Sequence, residues 1–277
     1  MLLRRISAFS DGDSGGNPAG VWVGEEMGDS RTMQRIAARI GYSETVFASP
    51  LHKAWRVRYF SPESEVPFCG HATIALGAAL ALDHGDGVFA LVLNDAHITV
   101  EGYNGKGRLG AILQSPHTRS ETADPELVKE ALKLFGYAPR DLDPRLPPAI
   151  AYAGAPHLLL ALSTRRKLAS MSYDLAKGRE FMRKAGVVTV GLLYAATSRL
   201  FDARHAFASG GVYEDPATGA GAAALAGYLR DISWPHGGAI EIVQGEDMGS
   251  RSLLRAEFTR VSGSSIRVSG SARFIDR

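Results

Sequence analysis

Two stretches of this chain are apolar at every position: Ile74-Ala75-Leu76-Gly77-Ala78-Ala79-Leu80-Ala81-Leu82 and Ala220-Gly221-Ala222-Ala223-Ala224-Leu225-Ala226-Gly227-Tyr228-Leu229. A helix without a polar stripe has to be surrounded, so each stretch predicts a helix buried on all sides. The rest of the first half reads as strands, with one amphipathic exception. Residues 2–9 and 19–23 are strand-like and are joined by a polar loop over 11–18. Residues 33–40 place Met33, Ile36, Ala37 and Ile40 at helical spacing, and Gly41 ends that helix. Strands are expected at 43–48 and 55–60 before the first buried helix, and at 88–93, 97–101 and 109–114 after it.

Residues 116–124 are polar and show no periodic apolar pattern, which predicts a boundary there. The expected domains are 1–116 and 117–264, with a last strand in 265–277 that can return to the first. The second half repeats the plan. Helices are expected at 125–135 and 173–185, a Pro-rich turn region at 139–148, and strands at 149–152, 157–162 and 189–195, with 204–207 leading to the second buried helix. Strands at 239–244, 253–259 and 265–268 complete the pattern. Many strands around one small-residue helix in each half predict an α+β protein of two pseudo-symmetric domains. Each would be a mainly antiparallel β-barrel or roll wrapped around a central helix. A doubly wound parallel sheet would need strict alternation of strand and helix, which the chain lacks.

Composition narrows the function classes. The chain has 277 residues, 45% of them hydrophobic, and a net charge of +2 from 31 basic and 29 acidic residues. That balance gives no reason to expect nucleic acid or membrane as a partner. Arg165-Arg166-Lys167 is the densest basic run and reads as solvated surface. The first residues, Met1-Leu2-Leu3-Arg4-Arg5-Ile6, do not resemble a signal peptide. No apolar run reaches the ~20 residues of a spanning helix. The single cysteine, Cys69, excludes an intrachain disulfide and suits a reducing cytosol. Gly105-Lys106-Gly107-Arg108-Leu109-Gly110 matches a dinucleotide fingerprint by letter, but Asn104-Gly105 signals a hairpin rather than the strand-to-helix turn the motif requires. Cys69 with His71 lacks a second ligand pair, so no metal is expected.

The candidate chemistry precedes the two buried helices. Glu44 lies between a helix end and an apolar strand. It is either a residue of the outward, solvated face or a partly buried base, and alternation along the strand favours the former. His71 falls in the first turn of its helix, either bonded to nearby backbone or acting as an acid/base kept neutral by the helix N-terminus. Asp215 before Pro216 is a standard helix start, Asp at N-cap and Pro next, a role that leaves one carboxylate oxygen for chemistry. Cys69 reads as a small buried hydrophobe.

Several segments in order resemble the PhzF-like isomerase family, whose relatives include diaminopimelate epimerase. They are Gly16-Asn17-Pro18-Ala19-Gly20-Val21, Ser43-Glu44-Thr45-Val46-Phe47, Arg58-Tyr59-Phe60-Ser61-Pro62 and Phe68-Cys69-Gly70-His71-Ala72-Thr73. Arg204-His205-Ala206-Phe207-Ala208, Glu214-Asp215-Pro216-Ala217-Thr218-Gly219 and Gln244-Gly245 follow. The resemblance implies a diaminopimelate epimerase-like fold with an active site in the cleft between two domains, and proton transfer without a cofactor. It implies Glu44 as the general acid/base, with His71 and Asp215 in support. Asn17, Ser43, Gly70, Thr218, Gly219 and Ala220 would bind a small carboxylate-bearing substrate. A cytoplasmic homodimer is expected. The chain departs from the pattern at Ala220, where the family usually carries Ser; one neutral hydrogen bond there is worth ~0.5–1.5 kcal/mol. Two alternatives stay open: an amino-acid racemase or epimerase, and a catalytically silent small-molecule binding protein of the same fold.

Overall fold

The computed structural model describes residues 2–105 and 107–275, and of Leu2 only the backbone. Met1, Lys106 of the glycine motif, and Asp276 and Arg277 of the expected returning segment lie outside the described residues. The chain divides into two compact units, Met1–Gln114 with Val268–Arg277, and Ser115–Arg267.

The first unit is a closed barrel. Its strands are β1 (Leu2–Ala8), β2 (Asn17–Val23), β3 (Glu44–Leu51), β4 (Ala54–Phe60), β6 (Gly87–Val92), β7 (His97–Gly105), β8 (Arg108–Gln114) and β17 (Arg267–Phe274). They pair in that order, and β17 returns to bond both β8 and β1. The short β5 (Glu65–Val66) pairs with the end of β4. Two pairings are parallel, β2 with β3 and β4 with β6, and each is bridged by a helix, as a parallel return requires. The first bridge, α1 (Ser30–Ile40), is amphipathic, capped by Asp29 accepting from Thr32 N–H, and ended by Gly41 at φ 73°. It lies outside, with Met33 and Ala37 packed on Trp22, Phe47 and Phe60.

The second bridge, α2 (Gly70–His84), is the expected interior helix. Gly70 to Ala81 are all buried, and α2 packs against β1, β2, β3, β6, β7 and β8. Small residues make this closeness possible. A Cβ on Gly102 of β7 would stand 2.1 Å from the Gly77 carbonyl oxygen, and one on Gly77 would stand 2.5 Å from Val100.

The second unit repeats the connectivity. Its strands are β9 (Arg119–Thr122), β10 (Ala149–Tyr152), β11 (Pro156–Ala161), β12 (Thr189–Ala195), β13 (Leu200–Phe207), β15 (Ala239–Gln244) and β16 (Ser252–Glu257), paired in that order, with β14 (Val212–Asp215) on β13. The parallel pair β11–β12 is bridged by α4 (Arg165–Ala169) and α5 (Leu175–Ala185), and β13–β15 by α6 (Gly219–Asp231). Helices α5 and α3 (Pro125–Phe135) cover one side through Leu132, Phe135, Phe181 and Met182, packed on Leu158, Leu160, Val190 and Leu192. Helix α6 is buried among β9, β10, β11, β15 and β16.

Four expectations need correction. The polar stretch before α3 contains β9, whose side chains are polar because it gains its place by backbone pairing with β10. Arg165-Arg166-Lys167 is solvated as expected, but it opens a helix that was not anticipated, α4, which Thr164 caps and Leu168 anchors in the core. The last strand runs to Phe274 rather than ending near Val268. Its Ser and Gly content hides it, and pairing on both sides overrides weak propensity. Residues 212–215 form β14, which was not anticipated. The glycine motif spans a hairpin between β7 and β8, with Gly105 opposite Arg108 and Gly107 at φ +74°. No helix follows it. No helix among the described residues is long and apolar enough to cross a membrane.

Candidate active site

In the first unit, polar side chains gather where α2 begins. Phe47 packs beneath α1, so the alternation of β3 sends Glu44 to the opposite, inner face. There it is 7% exposed. This corrects the outward-surface reading, which assumed one wet face on a strand that has α1 on one side and α2 on the other. Glu44 Oε2 lies 3.5 Å from His71 Nε2, and Ser43 Oγ lies 3.4 Å from the same nitrogen. Cys69 Sγ lies against the ring, 3.3 Å from Nδ1 and 3.9 Å from Nε2.

His71 is buried, and burial holds its pKa below the usual 6.5 against the opposing charge of Glu44. One of the two readings open for His71 from the sequence attributed a neutral ring to the helix N-terminus; here desolvation is the leading cause. A neutral ring fits both sides, with Nδ1 accepting from the Cys69 thiol and Nε2–H directed at Glu44 and Ser43. The turn is fixed from behind. Thr73 Oγ1 donates to the Cys69 carbonyl at 2.7 Å, and the buried Tyr59 hydroxyl donates to Thr73 Oγ1 at 2.7 Å. Gly70 is the first residue of α2, and Cys69, its N-cap, makes no side-chain cap. Asn17, also buried, heads β2 opposite Ala8, two residues before Ala19, the cross-strand partner of Glu44.

The second unit builds a comparable turn around Asp215. Asp215 is not the N-cap of α6. Its backbone closes β14 opposite His205, so the helix begins only after Pro216 and Ala217, with Thr218 as N-cap. The carboxylate is held by Thr218 instead, whose hydroxyl donates to Oδ2 at 2.6 Å. Gln244, at the end of β15, clamps the turn: Thr218 N–H donates to its Oε1 at 3.1 Å, and its Nε2 donates to the Asp215 carbonyl at 2.7 Å and to Thr218 Oγ1 at 2.9 Å. Gly219 is buried at the first helical position and Ala220, next to it, is half-buried.

Four of the predicted residues thus meet in the first unit (Ser43, Glu44, Gly70 and His71), and Asp215, Thr218, Gly219 and Ala220 meet in the second. Sequence reasoning gave Gln244 no role, because its partners lie 26 and 29 residues away and only the fold joins them. It also read Cys69 as filler. The two central helices share a further property among the described residues. Helices α1, α3, α4 and α5 are capped by Asp29, Asp124, Thr164 and Asp174, whereas α2 and α6 have no side-chain cap. Their first-turn N–H groups are therefore suited to an anion. An open pocket lined by Asp86, Tyr103, Gly105, Arg108 and Ser271 shares no residue with either cluster.

A family model described as phenazine biosynthesis-like protein, PhzC-PhzF, matches residues 6–276. An uncharacterized isomerase of Mesorhizobium japonicum is 29% identical over 290 aligned residues, covering 94% of this chain and 94% of the relative. The trans-2,3-dihydro-3-hydroxyanthranilate isomerase of Pseudomonas aeruginosa is 30% identical over 275 residues, covering 96% and 94%. Among solved structures, a Bacillus anthracis phenazine biosynthesis protein of the PhzF family superposes with a TM-score of 0.87 at 19% identity, over 99% of this chain and 96% of that one.

Proposed function

The chain belongs to the phenazine biosynthesis-like PhzC-PhzF family and is an isomerase, and from that premise we propose that it moves a proton within a small carboxylate-bearing metabolite by general acid–base catalysis, without a cofactor. The observation that carries this reading is the buried contact of Glu44 with His71 at the uncapped start of α2. Glu44 takes the proton from a carbon activated by a neighbouring carbonyl, imine or diene, and returns it elsewhere on the same molecule. Neutral His71, braced by Cys69 and Ser43, orients the carboxylate and donates to charge developing nearby. Such transfer supplies about 10²–10⁴-fold. The first-turn N–H groups of α2 and α6 favour a substrate carboxylate and stabilise negative charge as it forms.

The reading also requires Asp215 to act on the same substrate, as the family resemblance implies. Thr218 already gives its carboxylate the hydroxyl bond that Ala220 does not offer. The chain is expected to work on a free small molecule as a cytoplasmic homodimer.

The test is deuterium incorporation from heavy water into candidate cyclic and acyclic amino and hydroxy acids, followed by NMR. Wild type should exchange a carbon-bound proton, and Glu44→Gln should lose at least about 100-fold of that rate. Binding affinities of Glu44→Gln, Asp215→Asn and the double variant should be non-additive if both residues meet one ligand. A Glu44→Gln protein that exchanges at the wild-type rate would refute the assignment.

A further inference from the structure

One side chain in the second unit grips the Asp215 turn at several atoms. Gln244 is 1% exposed, and its amide accepts from Thr218 N–H while donating to the Asp215 carbonyl and to Thr218 Oγ1. A single orientation of the amide allows this. Turned over, its NH2 group would face the Thr218 N–H and its oxygen would face the Asp215 carbonyl, donor against donor and acceptor against acceptor. We propose that Gln244 is a positioning residue for the reaction: it fixes the direction of the Thr218 hydroxyl and, through that hydroxyl, keeps Asp215 a charged hydrogen-bond acceptor in a set orientation.

The chain of donors runs one way. A hydroxyl has a single proton, and Thr218 Oγ1 already receives one from Gln244 Nε2 at 2.9 Å. Its own proton therefore turns away from Gln244 and goes to Asp215 Oδ2, 2.6 Å away. Protonating Oδ2 would reverse that bond and leave the hydroxyl proton no acceptor on the facing amide nitrogen, so the arrangement favours the ionised carboxylate. Bonds in such a chain also strengthen one another. The backbone that carries Gln244 is held in turn. It pairs with Ala203 of β13 and Ser252 of β16, and a Cβ on the next residue, Gly245, would stand 2.7 Å from the Pro216 carbonyl oxygen. The end of β15 is thus packed backbone to backbone on the turn that follows Asp215.

The effect on proton transfer rests on the proposed role of Asp215; the hold on its carboxylate does not. The first measurement is therefore the titration of Asp215 itself in the full chain, by NMR of protein labelled with carbon-13 at the aspartate carboxyl and assigned through Asp215→Asn. Gln244→Met keeps the length of the side chain and removes the amide, and the titration midpoint of Asp215 should rise by about half a pH unit or more. In a Thr218→Val background the same substitution should move the midpoint far less, because the hydroxyl that carries the effect is gone. His205, opposite Asp215 and bonded to Thr189, and the Arg204–Glu214 pair are unchanged in every variant, so their charges cancel in the comparison. A role in folding alone would lower the melting temperature and leave the midpoint in place. If Gln244→Met fails to fold, wild type and Thr218→Val decide: both Gln244 side-chain amide protons should be protected from solvent exchange, and Thr218→Val by itself should raise the midpoint. An unchanged midpoint in folded Gln244→Met, an equal rise with and without the Thr218 hydroxyl, or, failing that variant, unprotected amide protons or an unmoved Thr218→Val midpoint would each overturn the inference. In the heavy-water assay, folded Gln244→Met should lose about 10-fold or more of the exchange rate at saturating substrate. A raised midpoint with unchanged exchange would overturn the part of Asp215 in the reaction and leave the hold of Gln244 on its carboxylate standing.

Discussion

Removing one carboxylate from the second unit should test its electrostatics directly. Glu214 of β14 stands opposite Ala206 and reaches diagonally to Arg204 of β13, with the two side chains only 3% and 8% exposed. Their contact is bidentate, Nε to Oε1 at 2.9 Å and Nη2 to Oε2 at 2.5 Å. The remaining nitrogen, Nη1, donates to the carbonyl of Ala169 at 2.9 Å, at the C-terminal end of α4. Glu214→Ala therefore strands a buried guanidinium. Breaking a buried pair from one side destabilises by about 3–5 kcal/mol, because the abandoned ion keeps its desolvation penalty. Asp247, 4.0 Å from Arg204 Nε, can take up part of that charge, which argues for the lower end, about 3 kcal/mol.

At roughly 2–4 °C per kcal/mol for a unit of this size, the melting temperature should fall by about 6–12 °C. Urea denaturation and scanning calorimetry on the full chain would measure it. Raised salt should leave the loss nearly unchanged, since a buried pair is poorly screened. The Arg204→Met, Glu214→Leu double variant should recover most of the stability, because two apolar side chains leave no stranded ion. A Glu214→Ala protein within 1 kcal/mol of wild type, or a double variant no better than the single, would refute the reasoning.

Two further outcomes follow from other parts of the fold. Gly102→Ala would put a Cβ 2.1 Å from the Gly77 carbonyl oxygen, backbone against backbone, and should destabilise the first unit by about 3 kcal/mol or more, read as lost soluble yield and an early melting transition. His157 and His205 share the Thr189 hydroxyl inside the second unit, at 2.8 Å and 3.1 Å. Burial pushes their pKa values down to about 4 and about 3 from 6.5. The unfolded chain takes up protons below pH 6.5 while the folded one does not, so stability should be fully present above that pH and fall progressively towards pH 4 and below. Melts across that range should show a shallower acid loss in His205→Gln; an identical slope would contradict it.

Much of this architecture was legible because two signals were strong and local. A run such as Gly77-Ala78-Ala79 with no polar face has one stable environment, and Gly41 and Gly136 mark helix ends by a left-handed conformation that suits glycine. The losses came where tertiary contacts outweighed local pattern. Arg119 to Thr122 and Ser269 to Phe274 are strands only because neighbours offer a ladder. Glu44 read as outward because nothing in its own segment reveals that α1 roofs the far side. Asp215 had the letters of an N-cap, yet pairing with His205 commits it to a strand. The residue types of the candidate site were visible, and Thr218 for Asp215 and Cys69 for His71 are near in sequence; Gln244, 29 residues from Asp215, is joined to it only by the fold.

The connectivity explains why chemistry collects at these turns. Among the described residues, β2–β3 and β4–β6 in one unit and β11–β12 and β13–β15 in the other are parallel pairs, and each needs a helical crossover. One crossover lies outside, where an amphipathic, side-chain-capped helix suffices, as in α1 and in α4 with α5. The other, α2 or α6, passes among the strands and must be small and apolar all round. An interior helix begins where its preceding strand runs out, at the rim of the strands that enclose it. Its first-turn N–H groups still need partners, and in α2 and α6 the N-cap side chain supplies none. Polar residues gather at that rim, and under the proposed function a substrate anion would take the place a capping side chain holds elsewhere. Duplicating the unit duplicates the rim: Ser43, Glu44, Cys69 and His71 at one, and Asp215, Thr218 and Gln244 at the other.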